Sequence, residues 1–289
     1  MEKMTQEKDG ALPQTIQRNW MLFSALALLT AVLYHRVFYF MGREWWHDPN
    51  FSHGFIVPLV AGYFVYEKMD ALRNAQPRPW TPGLAVIVLG LLMLTAGFLA
   101  TENFTMRVSF IVYLAGVALF FFGTGIFRHL GLPLGYLLFM VPLPYILYDA
   151  VAFPLKLFVA KYSVISLKLL GITVWREGNI IMFPNIELEV ADACSGIRSL
   201  MSLIALGVAF AWVSQKTAFR KIILVAMTVP VAIFANWVRV VATGVLAKYW
   251  GAKAAEGFFH EFAGLAVFAL AIGMMIGIGV LLRRGGGNE

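Results

Sequence analysis

The run IILVAMTVPVAIFANWVRVVATGVLA, residues 222–247, decides the fold. It carries a single charge, Arg239, and at 1.5 Å per residue it is long enough to cross the roughly 30 Å hydrocarbon core of a bilayer. Working outward, the rest of the chain has the same character. Of 289 residues, 60% are hydrophobic and 13% charged, with a mean hydropathy of +0.75. A soluble domain of this length needs far more polar surface, so the pattern predicts an all-α polytopic membrane protein. About eight transmembrane helices are expected, over 20–40, 51–66, 82–100, 108–127, 130–148, 196–214, 222–247 and 262–282. They form one multi-pass domain over 1–289, with a tail at 1–18, a loop at 172–193 and a second tail at 283–289. Residues 1–18 are polar and of mixed charge, and no small-residue cleavage site follows the first apolar run, so no cleavable leader is expected.

The basic residues set the orientation. Lys3, Lys8, Arg18, Lys68, Arg73, Arg78, Arg128, Lys216, Arg220, Lys221, Arg283 and Arg284 fall on one side if there are eight crossings. By the positive-inside rule that side, with both termini, is cytoplasmic. Trp45, Trp46 and Trp250 then meet the outer interface. The net charge of +7 is accounted for by these loops, so no nucleic-acid partner is expected. Residues 151–171 are apolar but contain Lys156, Lys161 and Lys168. They read as an interfacial or re-entrant helix on the outer side, and a full crossing there would reverse everything downstream. Residues 172–193 are the one sizeable polar insert. Their β-prone pieces, ending in the alternating Ile186-Glu187-Leu188-Glu189-Val190, predict a small extracytoplasmic β-hairpin or meander before the next helix.

That meander delivers the chain to Ala193-Cys194-Ser195-Gly196, which holds its only cysteine. A lone thiol makes no internal disulfide and no thiolate cluster. It is a candidate nucleophile at a helix start, where unpaired N–H groups and the helix dipole favour a thiolate; a buried structural cysteine is the alternative. Ser195 permits close backbone approach and an N–H for an oxyanion, and Arg198 is four residues on, on the same helical face. Arg239 is a second candidate, because an ionised group inside a span faces a polar cavity or a partner unless it snorkels to headgroups. Asn236 precedes it on the same face. His260 opens the last span and has the proton affinity for acid–base work, though a lone interfacial histidine is weak on its own. His53 and Asp48, with Trp45 and Trp46, form a further cluster that reads as a substrate-gating or structural element. A thiolate attacks a carbonyl, an imidazole moves protons and a guanidinium stabilises a tetrahedral oxyanion. No ligand cluster is seen, so no metal and no organic cofactor is expected.

On Trp46-His47-Asp48, Phe51-Ser52-His53-Gly54, Glu177-Gly178-Asn179, Ala193-Cys194-Ser195-Gly196, Asn236, Arg239, His260 and Gly264, the chain resembles the exosortase/archaeosortase family. The resemblance covers most of its length. It implies a membrane cysteine endopeptidase/transpeptidase with Cys194 as nucleophile and Arg239 and His260 completing the site. The implied partners are exported proteins ending in a Pro-Glu-Pro-type motif, a transmembrane helix and a basic tail, together with an acceptor nucleophile of unknown identity. The implied setting is the bacterial cytoplasmic (inner) membrane, with the site facing the periplasm and a link to exopolysaccharide export. A transporter or polysaccharide-assembly protein without thiol chemistry is the rival reading, since intramembrane polar residues serve such proteins equally well.

Overall fold

The structure, a computed structural model, describes residues 11–184, 187–189, 197–251 and 258–284, and the side chains of these except 189, 197–200 and 258–263. The chain divides into two compact units, Met1–Leu143 and Pro144–Glu289.

In the first unit α1 (Ala11–Arg18) leads into α2 (Trp20–His47) and a 3-10 segment, Pro49–Phe55. Then come α3 (Val57–Glu67), α4 (Met69–Asn74), α5 (Gly83–Leu99) and α6 (Asn103–Tyr136), which runs on as a 3-10 turn through Met140. The Glu102 carboxylate caps α6 by accepting from the N–H groups of Phe104 and Thr105, at 2.8 and 2.6 Å. Gly83, Gly90 and Gly97 recur every seventh residue on α5 and face α6. A Cβ at Gly83 would lie 2.5 Å from the Phe120 nitrogen, and one at Gly90 would lie 2.9 Å from that of Tyr113. Gly116 reciprocates from α6, with only 2.5 Å to the Ile87 nitrogen. Lipid tails leave no hydrophobic drive between helices, so this close backbone approach supplies the van der Waals contact that holds the hairpin. Antiparallel α2 is tied to α6 by Thr30 on Tyr113 (3.0 Å), Tyr34 on Ser109 (3.3 Å) and an ion pair of Glu44 with the buried Arg107.

Gly123 breaks α6 at φ +78°, and a Cβ there would overlap the carbonyl oxygen of Arg78 at 1.8 Å. The Arg78 and Trp80 N–H groups donate to the Phe122 and Phe120 carbonyls, which the kink leaves accessible, at 3.2 and 3.3 Å. The span expected over 130–148 is therefore not one helix. Its first part belongs to α6, Val141 to Pro144 is extended, and a new helix starts at Tyr145. The cause is Pro142 and Pro144: neither can donate into a helical ladder, and each pushes the residue before it out of the α region.

The second unit opens with α7 (Tyr145–Leu169). Residues 151–169 of the segment expected as an interfacial or re-entrant helix make up most of α7, which is by length and composition long and apolar enough to cross a membrane. Tyr148, Ala152, Val159, Ala160, Val164 and Leu167 are its buried stripe, while Lys161 and Lys168 lie exposed on the other side. Tyr148 packs in one cluster with Leu224 and Val231, and Leu167 in another with Val240, so α7 runs beside and parallel to the later helix α9 (Ala218–Trp250).

Next come β1 (Trp175–Glu177), β2 (Ile180–Met182) and β3 (Glu187–Glu189), an antiparallel meander in the order 1-2-3. The expected small β-segment before the next helix is thus present, as a three-stranded sheet. Gly178, at φ +60°, supplies the positive φ of the β1–β2 turn. Ile181 and Phe183 are buried against Leu167 and Val240 and fasten the sheet to the ends of α7 and α9. Then α8 (Ile197–Ser214), α9 and α10 (Phe258–Arg284) complete the unit. The expected eight crossings are not reproduced. Among the described residues five helices have the length and composition to span, in α2, α6, α7, α9 and α10, while α5 and Met201–Ser214 of α8 are shorter apolar helices.

Candidate active site

The three helices α8, α9 and α10 pack in a fixed register. At one end the amide of Gln215 donates to the Gly279 carbonyl at 3.0 Å, and Lys221 lies 3.6 Å from the centre of the Trp212 ring. In the middle Gly207 is pressed onto Thr228 and Met275. Farther along, Leu203, Asn236, Arg239, Gly264 and Phe268 surround a cavity of about 10 Å³, the space of roughly one water. The same register places Lys216, Arg220, Lys221, Arg283 and Arg284 at the end away from the sheet.

Arg239 is 8% exposed and Asn236, one turn before it, 3%. Because α9 continues to Trp250, the Arg239 Cα lies about 16 Å from that helix end, deeper than a span ending at 247 suggests. Its guanidinium does not run out toward headgroups. It stands against α10, where a Cβ built on Gly264 would meet Nη2 at 3.6 Å and Cζ at 3.8 Å. Desolvating a guanidinium is costly, so one held inside a span against a neighbouring helix makes that place a candidate site.

Position 260 is helical, in the first turn of α10, four residues before Gly264 and on the same face. The first residue of α8, Ile197, is six residues, about 9 Å, from the cavity-lining Leu203. The starts of both helices therefore lie at the Arg239 end of the cavity. Cys194 and Ser195 fall outside the described residues, as do the side chains of Arg198 and His260. Among the described residues the structure thus brings together Asn236, Arg239 and Gly264.

His53 and Asp48 belong to the first unit. The Asp48 carboxylate accepts from the Asn50 N–H at 2.8 Å and caps the 3-10 segment. Burial lowers the His53 proton affinity from its usual value, with the carbonyls of Phe139 and Asn50 working the other way. Beside them Trp45 donates from Nε1 to the Met140 carbonyl at 2.9 Å and closes over Gly54, whose missing Cβ would otherwise overlap the indole at 2.3 Å. Trp45 and the Phe51-Ser52-His53-Gly54 signature thus meet in one packed corner, while Trp46 is exposed. Sequence reasoning missed the Glu44–Arg107 pair; its only signal was two opposite charges at the ends of different apolar runs.

A family model described as a transmembrane exosortase matches residues 45–277. The chain belongs to the exosortase family. That range takes in both the Trp45 corner and the Arg239 cavity, and membership makes this a multi-pass membrane protein of a protein-sorting transpeptidase family. No curated protein and no solved structure matches the chain.

Proposed function

We propose that this exosortase is a cysteine endopeptidase/transpeptidase of the bacterial inner membrane. It cleaves exported proteins at a C-terminal signal built of a Pro-Glu-Pro-type motif, a transmembrane helix and a basic tail. The observation that carries the reading is Arg239: a guanidinium buried inside a span, facing α10 one turn from position 260, at the end of the bundle where the segment bearing Cys194 enters α8.

The Cys194 thiolate attacks the scissile carbonyl, and Arg239 stabilises the oxyanion by donating hydrogen bonds. The carbon–nitrogen bond then breaks, His260 gives its proton to the leaving amine, and a thioester to Cys194 remains. An acceptor amine, hydroxyl or water next attacks the thioester and yields its proton to His260, which restores the thiolate. Asn236 orients the guanidinium from one turn away, and Arg198 adds positive charge beside the thiolate. The basic cluster Lys216, Arg220, Lys221, Arg283 and Arg284 at the opposite end supports a cytoplasmic placement there, which turns the site to the periplasm. Exopolysaccharide export is the process this sorting would serve.

The test is Cys194→Ser beside Cys194→Ala, read as the ratio of processed to unprocessed substrate. Both are expected to insert at normal levels and to abolish processing, because a hydroxyl is a far poorer nucleophile at neutral pH. Processing that survives in both would make the cysteine structural and overturn the proposal.

A further inference from the structure

Of the charged residues of α7, Asp149, Lys161 and Lys168 are exposed, and Lys156 alone is half-buried. It lies about 17 Å along the helix from Tyr145 and about 20 Å from Leu169. Both ends are beyond the reach of its four-carbon stem, so snorkelling does not account for it. A charge in the middle of a spanning helix is costly and calls for a polar partner or cavity. Four residues to either side stand Ala152 and Ala160, and seven residues on stands Ser163, all of them fully buried. These spacings share one helical face. Ala160 packs in one cluster with Val240, and Ala152 in another with Ala232 and Ala235, so Lys156 belongs to the side of α7 turned to α9.

The register between the two helices identifies what it meets. A Cβ on Gly244 would lie 2.9 Å from Cδ1 of Leu167. Eleven residues back from that contact along both parallel helices, Lys156 comes level with about Ile233 of α9. Asn236, Val240 and Gly244 follow one another at four residues and form the ridge of α9 that runs past this face. Asn236 is therefore within one turn of Lys156, buried, and on the wall of the cavity that Arg239 also lines. Thr228, the next polar residue toward the other end of α9, faces Gly207 of α8 and donates to the Val225 carbonyl.

We propose, resting on the cysteine-peptidase reading of the site, that Lys156 is a positioning residue: its ammonium donates to the side-chain carbonyl of Asn236, which also accepts from Arg239. The amide is then held from both sides and fixes the guanidinium that acts on the oxyanion. Asparagine suits the place because its carbonyl oxygen has two lone pairs and accepts from both cations. Lysine suits α7 because a compact three-donor head on a flexible stem passes between two alanines, where a rigid fork fits less well.

The experiment uses the full-length enzyme with an exported protein ending in the proposed signal. It follows the ratio of processed to unprocessed substrate at equal amounts of inserted enzyme, with melting temperatures in detergent alongside. Lys156→Met keeps the length of the side chain and removes the charge. It is expected to melt at or above the wild-type temperature, because a buried charge is costly, and yet to process roughly tenfold more slowly. Lys156→Arg should retain most of the activity, and Lys161→Met, on the exposed side, all of it. Lys156→Met added to Asn236→Ala should be no slower than Asn236→Ala alone, since both act through one amide. Wild-type processing by Lys156→Met, with Cys194→Ala inactive, would overturn the role of Lys156 and leave the cysteine reading standing. So would a loss that tracks a fallen melting temperature, or losses that add in the double variant. Processing that survives Cys194→Ala would overturn both.

Discussion

The contact between Arg239 and Gly264 allows the guanidinium to be displaced without altering it. An Ala methyl at position 264 would stand 3.6 Å from Nη2 and 3.8 Å from Cζ, which is ordinary van der Waals contact. Gly264→Ala should therefore insert, fold and process substrate within about twofold of wild type. Gly264→Leu is different. Its next carbon extends about 1.5 Å beyond Cβ, and a branch aimed at the guanidinium would come well inside contact distance. Arg239 has little room to yield, because the adjoining cavity holds only about 10 Å³. The guanidinium must move by on the order of 1 Å, and a misplacement of that size costs about 10²-fold in rate when the group acts on the transition state.

Arg239→Lys completes the series by keeping the charge and removing the fork, with an expected loss of about 10²–10³. The assay is the ratio of processed to unprocessed substrate over time in cells with equal amounts of inserted enzyme. Near-wild-type processing by Gly264→Leu would refute the geometric argument. Near-wild-type processing by Arg239→Lys would leave only a requirement for positive charge.

Three further outcomes test other parts of the account. A reporter fused after Gln215 should be active in the cytoplasm and one placed near Ala254 should be active outside, and reversal of both would remove the outward-facing site. Gly116→Ala, unlike Gly264→Ala, forces a methyl to 2.5 Å from the Ile87 nitrogen; it should destabilise the α5–α6 hairpin by about 1–3 kcal/mol, seen as a lower melting temperature in detergent. Glu44→Ala strands Arg107 as an unpaired charge buried to 5% exposure. It should cost about 3 kcal/mol of stability, whereas Glu44→Leu combined with Arg107→Leu should recover most of that loss.

How far the fold could be read follows from where each determinant resides. Apolar runs declare themselves because a bilayer needs unbroken lengths of them, and Arg239 stands out because an ion in such a run demands a reason. The β-meander was legible through local alternation and one glycine turn. Elsewhere composition outweighed local constraint. Residues 130–148 are apolar enough to span, yet Pro142 and Pro144 end the helix there whatever the hydropathy. Residues 151–171 read as an interfacial or re-entrant helix because Lys156 lies away from the side that Lys161 and Lys168 share, leaving no clean amphipathic stripe; what the sequence does not carry is the partner α9 that buries the side opposite Lys161 and Lys168.

The glycine seam of α5 was invisible for a deeper reason. A glycine in a strand of leucines carries no mark of need until a second backbone is laid 2.5 Å from its missing Cβ. The same holds at the candidate site. Gly264 entered the reading only through resemblance, and its physical role appears when Arg239 is seen to stand against it. What makes Arg239 a candidate for catalysis is thus divided between two helices. The charge is written in α9 and legible there, while the space that keeps the guanidinium from the lipid is written in α10 as the absence of a side chain.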